Sequence, residues 1–167
     1  FAGEGDVPAA DFILGTSAGS IVGAQLAAGK PPAELAAAIL AEANGVPPPG
    51  AMRFPPEAVA KLSSLFALAQ SSPDNPAAAR AQVGAFALSA PTESEADAVA
   101  RFAAQIGATE WPDQPFGCAV VDAEDGSVHV LTRDCRAPIH HAVAASCCLP
   151  GLVPPISISG RRYIDGG

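Results

Sequence analysis

The order of hydrophobic and polar positions divides the chain into a helical first part and a strand-rich last part. A short apolar run at residues 10–14 predicts a buried strand that ends at Gly15. Small and aliphatic residues over 20–28 then predict a helix that ends at Gly29. Apolar stripes at helical spacing predict three more helices with core-facing surfaces: Leu35, Ile39 and Leu40 after Pro31; Val59, Leu62 and Phe66 after Pro55-Pro56; and Val99, Phe102 and Ile106 within residues 93–107.

The strand patterns of the last part come in two pairs, each joined by turn residues. These pairs are residues 116–121 and 127–132 around Asp125-Gly126, and residues 156–158 and 162–164 around Ser159-Gly160. Between the two hairpins, residues 137–146 predict a helix with Pro138 in its first turn, and proline-rich residues 46–50 predict a loop. A strand, several helices and then further strands predict the α/β class.

Composition and charge narrow the range of functions. The chain has 167 residues, of which 49% are hydrophobic, and this favours one globular domain over a disordered segment. A formal net charge of −8 argues against a nucleic-acid module. No apolar run approaches the roughly 20 residues of a membrane span, and no signal segment is recognised, so a cytoplasmic location is predicted. The four cysteines lack metal-ligand spacing and are interpreted as small buried residues, so neither a metal nor a cofactor is predicted.

A first motif with chemical meaning is G-x-S-x-G, formed by Gly15, Thr16, Ser17, Ala18 and Gly19. It lies between a predicted strand and a predicted helix, which is the placement of a nucleophile elbow. Glycines on both sides of the serine are expected to remove clashes, while backbone N–H groups of the helix start would face a developing oxyanion. The alternative is an ordinary strand-to-helix turn with the serine as N-cap.

A second motif, Asp165-Gly166-Gly167, follows a predicted strand and by itself is typical of a turn. A serine nucleophile needs a base, and Asp165 is one candidate. The histidines are the others: His129 is predicted on a strand surface, and His140 and His141 lie early in a helix.

Taken together, these residues resemble the patatin-like phospholipase family. The resemblance rests on Gly15-Thr16-Ser17-Ala18-Gly19-Ser20, on the small-residue run and proline turn at residues 144–155, and on Asp165-Gly166-Gly167. It implies a three-layer α/β/α fold with a central, mostly parallel sheet, and a lipid acyl hydrolase acting on fatty-acyl esters. It also implies a dyad, with Ser17 as nucleophile and Asp165 as general base, and an acyl-serine intermediate. Membrane or micelle contact is then expected to be transient.

The sequence departs from the family at its ends. Family members carry a glycine-rich, arginine-containing loop before the serine strand, and residues 1–16 contain no such loop. Residues 1–167 are therefore predicted to be one partial patatin-like domain, without the oxyanion loop and without elements that follow the aspartate. The Ala18 backbone N–H is the oxyanion donor that remains.

Two other functions compete with this interpretation. One is a triad esterase with His140 or His141 as base and Asp122 or Asp125 as orienting residue. The other is a non-catalytic relative that acts as a binding module. Adjacent Arg161 and Arg162 are interpreted as solvated charges, with a phospholipid phosphate as the alternative partner. The sequence assigns no oligomeric state.

Overall fold

The computed structural model describes residues 10–45, 56–70 and 74–167. Within these residues the chain starts with one strand, continues through five helices and ends in a strand-rich part that contains a sixth. The elements in chain order are β1 (Ile13–Gly15), α1 (Ala18–Ala27), α2 (Pro32–Ala43), α3 (Pro56–Gln70), α4 (Pro76–Ser89), α5 (Glu95–Ile106), β2 (Phe116–Asp122), β3 (Val128–Leu131), α6 (Ile139–Ser146), β4 (Ile156–Ile158) and β5 (Arg161–Asp165).

The described strands form a mixed sheet, and the α/β class is confirmed. β1 runs parallel to β2, whereas β3 and β5 run antiparallel to β2, and β4 runs antiparallel to β5. Parallel pairing, which was expected to prevail, is confined here to β1 and β2. β2 and β3, like β4 and β5, follow each other through tight turns, and such turns can join only antiparallel strands.

The register of the sheet brings the ends of β1 and β5 together. Gly15 pairs with Cys118 of β2, and Asp165 pairs with Val120 of the same strand. Because β3 occupies the other edge of β2 along residues 118–121, β1 and β5 share one edge. The two strands run in opposite directions, so their carboxyl ends face each other there.

Helices lie on both faces of the sheet, but they leave Leu14 of β1 and Val128 and Val130 of β3 exposed. On one face, α1, α5 and α6 pack together, and the Phe116 ring lies directly against Gly23 of α1. On the other face, Val121 lines a small cavity with Val83 of α4 and Phe66 of α3. Odd and even positions of β2 thus enter different layers, as the alternation of side chains along a strand demands.

Most predicted elements are present with small changes at their ends. Both hairpins form, with positive φ at Gly126, Ser159 and Gly160, and the predicted stripe of α5 is buried. Helix α4 had not been predicted as a separate element. Pro138 is the N-cap of α6 instead of lying in its first turn, and the predicted loop at residues 46–50 lies outside the described residues.

Four apolar side chains that were expected in the core are exposed. In α2, Leu35 is buried, but Ile39 and Leu40 are 53% and 63% exposed. Phe12 and Leu14 of the first apolar run are also exposed, so this run is not the fully buried strand that its composition predicted. No described element packs against these four side chains closely enough to bury them. Among the described residues, no helix has both the length and the hydropathy required to cross a membrane.

Candidate active site

The first motif forms a sharp turn between β1 and α1. Ser17 has φ 53° and ψ −132°, a backbone conformation that few non-glycine residues adopt. Its side chain makes no capping hydrogen bond, so the N-cap interpretation has no support in the contacts. A Cβ at Gly15 would overlap the backbone of Ser20, whereas a Cβ at Gly19 would meet no described atom within 4 Å. The expected steric requirement for glycine therefore holds at position 15 and not at position 19.

The second motif ends β5 with a buried carboxylate. Asp165 is only 5% exposed, and its Oδ1 accepts a hydrogen bond of 2.8 Å from the Gly167 N–H. Its Oδ2 is buried and has no hydrogen-bond partner in the part of the chain that the structure describes. Gly166 lies where a Cβ would come within 2.5 Å of the Ala119 carbonyl group, so the turn passes directly over β2.

The fold brings the two motifs together. A Cβ at Gly167 would lie 3.4 Å from Cγ2 of Thr16, which places the second glycine of one motif against the other motif. Burial raises the pKa of Asp165, and the nearby Ser17 side chain and the hydrogen bond from the Gly167 N–H only partly oppose this. The Ser17 hydroxyl thus lies beside a carboxylate whose basicity is increased.

The end of α6 contacts both of these residues, and the sequence had not singled out its contribution. The Ser17 N–H donates to the Ser146 carbonyl oxygen at 3.1 Å and to its Oγ at 3.2 Å. The Cys147 thiol donates to the Ser17 carbonyl oxygen at 3.0 Å, and the Asp165 N–H donates to the Cys148 carbonyl oxygen at 3.0 Å. The signal in the sequence was the small-residue run at residues 144–155, which had been matched only as a family feature.

Backbone N–H groups at the start of α1 differ in whether they are already used. Those of Ser17, Gly19 and Ser20 are bonded within the chain, the last two to the Thr16 and Ser17 carbonyl oxygens at 2.8 Å each. The Ala18 N–H has no partner among the described residues. It is therefore the N–H of this turn that is available to a ligand oxygen.

The residues of the alternative triad are not assembled in this way. The Asp122 carboxylate is fully buried and is bonded to Arg161 and to the N–H groups of the turn that follows β2, not to a histidine. His140 Nδ1 is buried without a partner in the described residues, and burial together with His141 lowers the pKa of His140. No hydrogen bond joins either histidine to Ser17.

The remaining sequence candidates have other partners. His129 lies in β3, with Nε2 2.8 Å from the Ser127 hydroxyl. Arg161 is paired with Asp122 and Asp125, and Arg162 lies 3.2 Å from Glu124, so each guanidinium group already has a carboxylate partner. Each of the four cysteines is a free thiol. The described residues contain no group of three or more His, Cys, Asp or Glu side chains placed to hold a metal.

A groove begins next to the candidate nucleophile. It has a volume of about 470 Å³ and runs along α1 from Ala18 past Val22 to Gln25, with Ala38 of α2 and Ala104 of α5 among its walls. Aliphatic side chains of α1 and α2 dominate the lining. Its size and apolar character fall within the range of small-molecule sites.

The site therefore combines an α/β sheet, a serine on a strand-to-helix elbow and an aspartate at the facing strand end. The family model for patatin-like phospholipases matches residues 2–167, and the chain belongs to that family. Membership supports a lipid acyl hydrolase at the level of the family. A search of curated proteins gave no match.

Proposed function

We propose that this protein hydrolyses fatty-acyl esters with Ser17 as the nucleophile and Asp165 as the general base. The observation that carries the proposal is the position of the Ser17 hydroxyl beside a buried carboxylate whose pKa is raised. A free aspartate is a poor base at neutral pH, and a raised pKa increases its ability to take a proton. No histidine is needed for this proton transfer.

In the acylation step, Asp165 takes the proton from Ser17 Oγ as the oxygen attacks the ester carbonyl carbon. The carbonyl oxygen becomes an oxyanion, which the free Ala18 N–H stabilises at the positive end of α1. As the tetrahedral intermediate collapses, the bond to the alcohol oxygen breaks and Asp165 returns the proton to that oxygen. The products of this step are an acyl-Ser17 ester and a free alcohol.

In the deacylation step, water replaces the alcohol. Asp165 accepts a proton from this water, and the remaining hydroxide attacks the acyl carbon on Ser17. The bond to Ser17 Oγ then breaks, and the serine recovers its proton from Asp165. The fatty acid leaves and the starting state is restored.

The groove beside Ala18 supports a fatty-acyl chain as the part of the substrate that is recognised. Its wall and the proposed oxyanion donor belong to the same residue, so an ester carbonyl at the Ala18 N–H starts its acyl chain at the mouth of the groove. The path from Ala18 to Gln25 covers about 10 Å at the helical rise of 1.5 Å per residue. An acyl chain of medium length fits that distance.

The direct test measures release of a chromogenic alcohol from fatty-acyl esters and labelling by a fluorophosphonate. Ser17→Ala is expected to abolish both signals, and Asp165→Asn is expected to abolish turnover. Ser64→Ala is a matched control, because that exposed hydroxyl bonds only to its own helix and is expected to leave turnover unchanged. Full turnover by either dyad variant contradicts the proposal.

A further inference from the structure

The C-terminal end of α6 binds both members of the proposed dyad. Ser146 accepts a hydrogen bond from the Ser17 N–H, and the Cys147 thiol donates one to the Ser17 carbonyl oxygen. The Cys148 carbonyl oxygen accepts a hydrogen bond from the Asp165 N–H. Ser17 lies in the turn after β1 and Asp165 at the end of β5, so the two residues are far apart in the sequence. Three consecutive residues of one helix end therefore fix their separation.

Ser146 also connects this helix end to the centre of the sheet. It is fully buried, and its Oγ donates to the Ala119 carbonyl oxygen at 2.7 Å while it accepts from the Ser17 N–H. Ala119 lies between Cys118, which pairs with β1, and Val120, which pairs with β5. The hydroxyl thus occupies the gap in which the ends of β1 and β5 face each other.

The conformation of Ser17 makes such support necessary. A non-glycine residue at positive φ costs about 1–3 kcal/mol and persists only where its surroundings hold it in place. The bonds from Ser146 hold the N–H side of this residue, and those from Cys147 and Ser20 hold its carbonyl side. Without the Ser146 hydroxyl, the Ser17 N–H would keep only the backbone carbonyl oxygen of Ser146 as acceptor.

We infer that Ser146 is a positioning residue for the reaction: its hydroxyl holds the Ser17 backbone so that Oγ points at Asp165. This inference rests on the proposed function. Ser146 touches neither substrate nor reacting atoms, because it acts through the Ser17 N–H. The hydrogen bond to Ser146 also occupies the Ser17 N–H, so the Ala18 N–H is the one that remains available to the oxyanion.

The test compares Ser146→Ala with the unmodified chain in hydrolysis of a chromogenic octanoyl ester. Rates are divided by the concentration of sites that a fluorophosphonate titrates, so that misfolded protein does not count. We expect kcat per titrated site to fall about tenfold or more, because a small displacement of the nucleophile is costly, while KM changes less than about twofold. An unchanged kcat per titrated site overturns the inference.

Two further variants separate positioning from stability. Val143→Ala removes buried volume from the same helix without touching Ser17 or Asp165, and it is expected to lower Tm with kcat per titrated site unchanged. Ser146→Cys keeps a polar γ atom and is expected to retain an intermediate kcat. If Ser146→Ala does not fold, a Ser146→Cys chain with unmodified kcat overturns the inference. Inactivity of the unmodified chain contradicts the proposed function instead.

Discussion

Gly15 has no room for a side chain, because the backbone of Ser20 in the first turn of α1 lies where its Cβ would stand. A Cβ at position 15 would also lie 2.7 Å from the Gly19 carbonyl oxygen and 2.8 Å from the Ser20 amide nitrogen. These are backbone atoms, which cannot turn away as a side chain does. The closeness of β1 to α1 is what makes the turn at Ser17 so sharp.

The two glycines of the G-x-S-x-G motif are therefore expected to differ. Gly15→Ala should lower the free energy of unfolding by about 1–3 kcal/mol, because the added methyl must push α1 away from β1. Gly19→Ala should raise it by about 0.5–1 kcal/mol, because alanine is favoured in a helix and its Cβ meets no described atom. Chemical denaturation measures both. Equal losses in the two variants would show that the clash at position 15 is not the determining factor.

Strain at Ser17 predicts a gain in stability when the side chain is removed. Ser17→Gly should abolish turnover and raise the free energy of unfolding by about 1 kcal/mol, since glycine adopts positive φ without the steric cost. Ser17→Ala is the matched comparison, because it removes the hydroxyl and keeps the strain. A Ser17→Gly chain that is no more stable than Ser17→Ala contradicts the prediction.

The raised pKa of Asp165 predicts how activity depends on pH. As a base the carboxylate must be ionised, so kcat/KM should fall as the pH drops through a value above the 3.8 of an ordinary aspartate. Burial is the main cause of the raised pKa, and the nearby Ser17 side chain and the Gly167 N–H only partly oppose it. The acid limb of the pH–rate profile measures this value. A limb at or below pH 3.8 would contradict the assignment of Asp165 as base.

The same shift predicts that Asp165→Asn does not destabilise the protein at neutral pH. A folded-state pKa above the unfolded value means that stability decreases as the pH rises through that interval, because folding buries the charge. The asparagine variant lacks this decrease, so its Tm should equal or exceed that of the unmodified chain at pH 7.5. The difference in Tm between the asparagine variant and the unmodified chain should vanish under acidic conditions, where Asp165 is protonated. A lower Tm at pH 7.5 would indicate that the charged form is stabilised by folding.

The ion pair between Arg161 and buried Asp122 predicts different effects for two adjacent arginines. Arg161→Met should lower Tm more than Arg162→Met, because it leaves a fully buried carboxylate with fewer donors, whereas Arg162 pairs with an exposed glutamate. Burial opposes ionisation of Asp122, but Arg161 and two backbone N–H groups hold its pKa below the ordinary value.

Because the pKa of Asp122 is lowered in the folded state, the ion pair contributes stability above the ordinary pKa of 3.8 and loses it as the pH falls through the folded value. Thermal unfolding should therefore show a difference between Arg161→Met and the unmodified chain that is largest near neutral pH and shrinks in acid. A difference that is independent of pH would assign the loss to packing of the arginine stem instead.

The groove along α1 predicts a variant with altered chain-length preference. Ala38→Trp places an indole in the groove and should lower kcat/KM for octanoyl esters about tenfold, while acetyl esters react as before. Ala37→Trp is the matched control, because this exposed neighbour on α2 does not line the groove. Equal effects of the two variants on octanoyl esters would show that the acyl chain lies elsewhere.

Local residue patterns in the sequence were sufficient to predict much of the fold. Asp125-Gly126 and Ser159-Gly160 predicted their hairpins because such residues suit tight turns, and Gly126, Ser159 and Gly160 adopt positive φ there. The stripe of α5 predicted a buried face, and Phe102 and Ile106 are buried. Ile39 and Leu40 were misjudged, because helical periodicity identifies an apolar face and not the element that covers it.

Two motifs in the sequence already indicated the family: a serine between two glycines and an aspartate followed by two glycines. These motifs are local, and each depends on the backbone freedom of its own turn. How they meet depends on contacts between distant residues. The register of β2 brings the ends of β1 and β5 to one edge, and Ser146 and Cys148 hold Ser17 and Asp165 there. Burial in that assembly raises the pKa of Asp165, a property that no short stretch of sequence contains.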